Sequence, residues 1–456
     1  MSRKQRAFSP WAFAAVTAAF GIVFGFAACG NGTPPPTGSE DNPKKLSPKI
    51  NLGNGEWGQL LTEIEAEGKY VSLDLSDCTM SGTVFDSGNT ITTGKDKIVK
   101  IVLPVSAESI ASNYSNQTLS SFPNLKEVTG LNVTKLDDYA FYGCTSLRKA
   151  EFPAVTRIGN YAFRGCTSLT EISFSAAKDR YFYDQTFMGC TNLVKFNLTG
   201  TGDFSVIENG KVLVRDDTIL VAYPSASGSI VMDNITAIGV TAFAGCVNLT
   251  KASFPALARN DGLNSDIYDG AFTGCTGLME ISFPASIEID SYNPFYGCSS
   301  LTNFDLTGTG PLSVAENGKA LIGGGTSYSK VLAYPSATGS IVMEGVTYLG
   351  SLAFSGCTGL IEASFPAAVN IGSETFFACA NLTTVSLPSI TRIDLGAFSG
   401  CTSLNSITLG TIDEAYFKNA TSFLASLGNL RDVYFGAGGG AGTYTRESGS
   451  DTRSKQ

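Results

Sequence analysis

One short motif, repeated nine times, limits what this chain can fold into. The stretch "FRGCTSLTEISF" at 163–174 returns as "FSGCTSLNSITL" at 398–409, and the shortest spacing between copies is 22 residues. A unit of that length cannot bury its own apolar face, so successive units must stack around a shared core. The motif therefore predicts a solenoid. Its nine cysteines are Cys144, Cys166, Cys190, Cys246, Cys275, Cys298, Cys357, Cys379 and Cys401.

Each unit contains a short strand with one buried face. Ile172 and Phe174 alternate with the polar residues Glu171 and Ser173, which is the two-residue period of a half-buried strand. A glycine before most of the cysteines, such as Gly165, suits a tight turn. The unit therefore predicts a short strand with one face towards the core.

A longer repeat is superimposed on the short one. Residues 198–232 match residues 306–343, and each copy has an Asn-Gly pair between apolar stretches. Asn-Gly in that setting is a strong hairpin signal. Each large unit is therefore predicted to be a triplet of short repeats followed by an inserted β-hairpin.

Both ends of the repeat region have the pattern of a helical cap. Apolar residues at helical spacing precede Gly68 near the start and Gly428 near the end, and caps cover the terminal units of a solenoid. The residues are Trp57, Leu60, Leu61 and Ile64, then Phe417, Ala420, Leu424 and Leu427. The solenoid with its caps is predicted over 50–435. The Gly/Ser-rich segment 436–456 is predicted to be a disordered tail.

The first 28 residues have the pattern of a secretory signal peptide. Three basic residues precede an apolar stretch, and Cys29 follows two alanines. That junction resembles the lipobox of bacterial lipoproteins, so lipidation of Cys29 is the preferred interpretation, with 29–49 as a flexible tether. An uncleaved anchor from Phe8 to Ala28 is long enough to cross a bilayer, and cleavage without acylation is a third alternative. All three export the rest of the chain.

Composition excludes several classes of function. The chain has no histidine, so Ser-His-Asp triads, Cys-His pairs and HExxH zinc sites cannot form. With 31 basic and 40 acidic side chains, a broad basic surface for nucleic acid is not expected. A carboxylate-based hydrolase would need two acids about 5 to 9.5 Å apart, and the repeat offers no unique pair. We expect no enzyme activity, no cofactor and no metal site.

The repeated cysteines have three alternative roles. Residues stacked on successive units lie about 4.8 Å apart, a distance that does not exclude a disulfide. Stacked side chains point the same way, however, and each triplet of cysteines cannot pair off within itself. Single cysteines a full repeat apart also lack the C-x-x-C clusters of zinc sites. We favour the third role, in which each thiol is buried as a small apolar side chain.

These motifs resemble a known family. "AFxGCTSLxxIxFP…IGxxAF" is similar to the repeat of the BspA-like leucine-rich repeat family of bacterial surface proteins, and the "FSV-ENG-…LVAYP" hairpin to a recurrent element of that family. The resemblance covers roughly residues 70–435. It implies a curved solenoid at the cell surface with a parallel sheet on one side, and adhesion to a protein or cell-surface ligand, including extracellular matrix proteins. Anchoring to the lipid membrane through Cys29 is predicted by the lipobox-like junction. It implies no catalytic residues.

The outward strand positions are the candidate binding face, with the hairpins at 204–223 and 312–334, which include Tyr223, Tyr328 and Tyr334, as a rival. A structural envelope component without a host ligand is the alternative function. The candidate face consists of Lys149, Glu151, Glu171, Ser173, Lys195, Asn197, Lys251, Ser253, Glu280, Ser282, Asn303, Asp305, Glu362 and Ser364.

Overall fold

A computed structural model describes most of the chain. The described residues are 38–52, 55–86, 93–111, 122–176, 185–258, 266–289, 293–324, 329–412, 429–446 and 452–456. They form a parallel-strand solenoid of about 13 turns with few helices, as the repeat predicts. The predicted signal peptide lies outside the described residues, as does Cys29. Within the described part, no helix is both long and apolar enough to span a bilayer.

Three successive sheets form one side of the solenoid, here called the long-strand face. All their strands are parallel except β30 and β31, which are antiparallel. The first sheet contains β1 (Lys44–Leu46), β2 (Val71–Asp74), β4 (Ile98–Val102), β6 (Glu127–Thr129), β8 (Lys149–Glu151), β10 (Glu171–Ser175) and β11 (Lys195–Thr199). The second contains β15 (Gly228–Val231), β17 (Leu249–Ser253), β18 (Glu280–Pro284) and β19 (Asn303–Thr307). The third contains β23 (Gly339–Val342), β25 (Leu360–Ser364), β27 (Thr384–Leu387), β29 (Ser406–Leu409), β30 (Gly442–Arg446) and β31 (Arg453–Lys455).

A second series of sheets forms the short-strand face, of which the sequence predicted the hairpin strands but not the two-residue strands. Most of its strands have only two residues. The first sheet contains β3 (Val84–Phe85), β5 (Ser109–Ile110), β7 (Lys135–Leu136) and β9 (Arg157–Ile158). The second contains β12 (Phe204–Ile207), β13 (Val212–Arg215), β14 (Ile219–Ala222) and β16 (Ala237–Ile238). The third contains β20 (Ser313–Ala315), β21 (Ala320–Gly323), β22 (Lys330–Ala333), β24 (Tyr348–Leu349), β26 (Asn370–Ile371) and β28 (Arg392–Ile393).

The core between the two faces is a column of identical side chains. The motif phenylalanine of one turn stacks on that of the next, with ring centroids 4.8 Å apart for Phe141 and Phe163 and 4.9 Å apart for Phe243 and Phe272. The alternation of Ile172 and Phe174 with polar residues is confirmed, since both are buried. Each unit therefore completes its core only with a neighbour on either side.

The ten described cysteines are buried free thiols, which confirms the packing role. Nine of these ten thiols, all except Cys144, also donate a hydrogen bond that the sequence did not reveal. The Cys166 thiol donates to the backbone carbonyl of Phe141, with Sγ and O 3.1 Å apart, and Cys190 and Cys275 donate in the same way to the preceding turn. Each of these carbonyls also accepts a backbone N–H within its own turn, so the thiol adds a second hydrogen bond, between turns, besides filling space.

The residue before the cysteine needs a left-handed backbone. Gly165 has φ +77°, and a Cβ built there would lie 3.7 Å from the Cα of Gly143 on the preceding turn. Eight of the nine copies have glycine here, because it adopts positive φ without a Cβ penalty. The exception is Ala378, at φ 56°.

The inserted hairpins are confirmed, but the last strand of each predicted segment, β14 or β22, belongs to a turn of the solenoid. β12, β13 and β14 are antiparallel to one another in order, and β14 then pairs in parallel with β16. Tyr223 packs against Phe243 in the place of a motif phenylalanine, with the two rings tilted by 43°, and Tyr334 packs against Phe354 in the same way. Both tyrosines are buried in the core, so the prediction that they form part of a projecting binding site is wrong. Tyr328 lies outside the described residues.

The hairpins act as wedges between the sheets. β12 and β13 add two strands to the short-strand face, and β20 and β21 do the same in the next unit, without counterparts in the long-strand sheets. Two added strands make the short-strand face longer than the long-strand face at that point, so the stack of turns bends towards the long-strand face. The long-strand face is therefore divided into three sheets at the two wedges.

The cap at the start is the predicted one. Helix α1 (Glu56–Glu67) buries Trp57, Leu61 and Ile64 and ends at Gly68, which has φ 67°. The predicted 29–49 tether is wrong in its second half, because β1 pairs with β2 and its backbone completes the sheet edge.

The end cap differs from the prediction. The helix predicted over 417–427 lies outside the described residues, and the described helix is α2 (Leu430–Phe435). The disordered tail predicted for 436–456 is wrong, because β30 pairs with β29 and β31 pairs with β30. The Arg453 side chain is buried and donates to the carbonyls of Leu404 and Asn405 in the last turn. The described parts of the tail, 436–446 and 452–456, pack on the last turn and satisfy its backbone groups.

Replacing Ala378 by glycine is expected to stabilise the fold. A left-handed Ala costs about 1–2 kcal/mol, while glycine costs about 0.5–1 kcal/mol of unfolded-state entropy, so the net gain is about 0.5–1 kcal/mol. Chemical denaturation of Ala378→Gly measures this. Ala380→Gly, two residues on, is the control and should lose stability. An equal loss of stability in both variants would contradict the claim that the backbone of Ala378 is strained.

The buried thiols are expected to be unreactive in the folded protein. Burial raises the pKa of the Cys166 and Cys275 thiols well above the ordinary value, which removes the reactive thiolate. In a Cys29→Ser chain, Ellman's reagent should detect no thiol in buffer and ten in guanidinium. Rapid reaction of two or more thiols in buffer would show that the column is open.

Arg453→Ala is expected to destabilise the protein by about 2 kcal/mol, because it leaves the buried carbonyl of Leu404 without its donor, whereas the Asn405 carbonyl keeps the backbone N–H of Arg446. Lys455→Ala on the same strand removes a more exposed donor to Gly439 and should change stability by less than about 0.5 kcal/mol. Thermal unfolding of both variants compares them. Equal stability of the two would mean that the tail does not close the solenoid.

Candidate binding face

All fourteen candidate residues lie on the long-strand face, in two rows. The strand pairing sets the rows: Lys149 pairs with Glu171 and Glu171 with Lys195, while Glu151 pairs with Ser173 and Ser173 with Asn197. None of the fourteen is buried. The first row contains Lys149, Glu171, Lys195, Lys251, Glu280, Asn303 and Glu362, and the second contains Glu151, Ser173, Asn197, Ser253, Ser282, Asp305 and Ser364.

The rows continue beyond the predicted residues in both directions. Lys100 and Glu127 extend the first row towards the start of the chain. Thr384, Ser386, Ser406 and Thr408 extend both rows towards its end. The alternation rule applied to the last two motif copies would have found the second group. The first group was missed because its turns lack the Gly-Cys signature.

Most of the charges on the face are already paired. The Nζ of Lys100 lies 2.6 Å from Glu127, that of Lys149 2.6 Å from Glu151, and that of Lys251 2.6 Å from Glu280. The hydrogen bond from Lys149 holds the pKa of the Glu151 carboxyl below its usual value. Exposed pairs of this kind add little stability. Their consequence is a surface with little net charge.

The face changes in character along the solenoid. The first sheet has alternating charges, whereas the third has mainly hydroxyl groups in the same rows. The Ser340 hydroxyl donates to Glu362, and the hydroxyls of Thr408 and Thr443 lie 2.8 Å apart. Single exposed aliphatic residues, such as Met279 and Ile361, are scattered beside the rows. The arrangement suits polar, distributed contacts with a large partner.

A cleft of about 310 Å³ lies beside the first hairpin. Its lining includes Phe204, Arg215, Ile219 and Tyr268, and no carboxylate. Among the described residues, no group of three His, Cys, Asp or Glu side chains could hold a metal ion. This cleft therefore presents no acid pair.

The comparisons with known proteins agree on the repeat. The BspA type leucine rich repeat region matches the chain in six copies over 112–210, 225–310 and 328–432, which is more than half of its length. The chain therefore belongs to the BspA-type leucine-rich repeat family. A comparison with curated proteins finds no match.

Two solved structures show the extent of the likeness. One is a leucine rich cell surface protein from Faecalibacterium prausnitzii, 20% identical, with 68% of this chain and 85% of that chain covered and a TM-score of 0.36. The other is a leucine-rich repeat protein from Eubacterium ventriosum, 22% identical, with 70% of this chain and 89% of that chain covered and a TM-score of 0.43.

Proposed function

We propose that this chain is a non-catalytic, adhesin-like surface protein that binds a host or bacterial protein through the long-strand face. The observation that carries the proposal is the alignment of fourteen outward polar residues in two rows across three sheets. Solenoids use extended surfaces of this kind for macromolecular partners. Family membership supports the same class of function.

The chemistry of the face supports a protein ligand that is recognised by shape and hydrogen bonds. Because the lysines of the first row are mostly paired with carboxylates, long-range attraction contributes little. Serine, threonine and asparagine side chains in the second row offer donors and acceptors at regular spacing. Binding should therefore be spread over several turns.

Export and lipid anchoring complete the proposal. The signal pattern over 1–28 and the lipobox-like junction at Cys29 support acylation of that cysteine and attachment to the membrane at the cell surface. The solenoid would then be displayed beyond the residues that join Cys29 to β1.

Substitutions on the face are expected to reduce binding, whereas one on the short-strand face is not. The variant Asn303→Arg with Glu362→Arg places two bulky cations on exposed first-row positions. Arg157→Glu, on β9, is the matched control. Each protein is tested against immobilised matrix proteins and whole cells at physiological salt. We expect at least tenfold weaker binding for the face variant only. Equal binding by both variants would contradict the proposal that the long-strand face binds the partner.

Acylation of Cys29 predicts a specific chemical result. Cells fed a radiolabelled fatty acid should label the wild-type protein, and Cys29→Ser should abolish the label. Cys78→Ser, at a buried thiol, is the control and should keep it. Wild-type protein without label would contradict lipidation and favour an uncleaved anchor, and labelled Cys29→Ser protein would contradict Cys29 as the acylated residue.

A further inference from the structure

Two equivalent strands have an unpaired edge inside the long-strand face. β15 is the first strand of the second sheet and pairs only with β17, and β23 is the first strand of the third sheet and pairs only with β25. Both have the sequence Gly-Ser-Ile-Val. Each lies where a wedge separates its sheet from the preceding one.

The backbone groups of alternate residues point to the unpaired edge. The N–H groups of Gly228 and Met232 donate to the following turn, at Asn248 and Ser253. Because successive residues of a strand face opposite neighbours, the N–H and C=O groups of Ser229 and Val231 point the other way. Ser340 and Val342 have the same orientation in β23, since Gly339 and Met343 donate forward. No described residue pairs with these four backbones on that side.

These two edges lack the protection that the other edges of the long-strand sheets have. β1 contains Lys44 and Lys45, β31 contains Lys455, and β11 and β19 contain Lys195 and Asp305. Charged residues of this kind oppose the addition of a foreign strand. β15 and β23 contain no charged residue, and the outward side chains of Val231 and Val342 are 59% and 58% exposed.

The gap between the second and third sheets is bordered on its other side by β19, which already pairs with added backbone. The N–H of Phe304 in β19 donates to the carbonyl of Gly318 at the hairpin tip, with N and O 2.8 Å apart. The tip therefore extends the edge of one sheet, while the facing edge of the next sheet stays unpaired. The edge of β23 that faces the gap is therefore open to one added extended segment.

We propose that β15 and β23 are two equivalent acceptor edges, each of which binds an extended, uncharged segment of a partner protein as an added β-strand. The proposal deepens the protein-binding function and rests on it. Backbone hydrogen bonds to Ser229, Val231, Ser340 and Val342 would supply affinity, and the exposed valines would favour apolar residues at alternate positions of the segment.

The probe is a synthetic octapeptide of alternating threonine and valine with a lysine at each end, added to the full-length protein in detergent. Its control is the same peptide N-methylated at alternate residues along one edge. Amide hydrogen exchange is measured at the four acceptor residues. We expect fast exchange in the free protein and at least tenfold slower exchange with the unmodified peptide only.

A double variant, Val231→Pro with Val342→Pro, removes one donor from each edge. Proline is tolerated where the N–H faces away from the pairing strand, so the fold should remain. Protection by the peptide should be lost, whereas Val231→Thr with Val342→Thr should keep it. If the proline variant does not fold, the N-methylated peptide still decides the question.

Three results would overturn the acceptor edges: slow exchange at these residues in the free protein, no protection at millimolar peptide, or equal protection by the N-methylated peptide. If the edges fail while the protein still binds cells or matrix proteins, the long-strand face remains the binding surface. If binding to all partners fails while the edges take up the peptide, the proposed function fails separately.

Discussion

The fold depends on the contact between one Phe-x-Gly-Cys turn and the next. The phenylalanine rings stack, the glycines approach closely, and the thiol donates to the phenylalanine carbonyl of the preceding turn. These three contacts fix the spacing and rotation between successive turns. Because the turn is fixed, the strand that follows is also fixed, and its outward residues align with those of its neighbours. The rows of the binding face are therefore a consequence of the core.

The hairpins interrupt this regular arrangement in the sheets but not in the core. They widen the short-strand face and leave gaps in the long-strand face, where β15 and β23 begin new sheets. Tyr223 and Ala226 take the places of the motif phenylalanine and cysteine in the first interrupted turn, and both are buried. The core column therefore continues past each wedge while the sheet does not.

The sequence predicted the features that follow from periodicity. The solenoid, the packing of the thiols and the orientation of the candidate residues follow from a motif with fixed spacing, and the parallel sheet follows from the resemblance to the family. The short-strand face was missed because two-residue strands such as Arg157–Ile158 are too short to show an alternating pattern.

The ends were mispredicted for a different reason. The tail composition indicates disorder, but Arg453 and Tyr444 become ordered by packing on the last turn. That is a tertiary effect, and local composition does not contain it. The tyrosines of the hairpins were misplaced because a degenerate turn without Gly-Cys was taken as part of a projecting loop.

The most direct test of the account is a lysine acetylation footprint of the full-length protein on cells, with and without its partner. Lys149, Lys195 and Lys251 lie on the long-strand face, whereas Lys135 and Lys330 lie on the short-strand face. If the long-strand face binds the partner, the first three lysines should lose reactivity and the other two should not. Protection of Lys135 and Lys330 with unchanged reactivity of the first three would contradict the central claim.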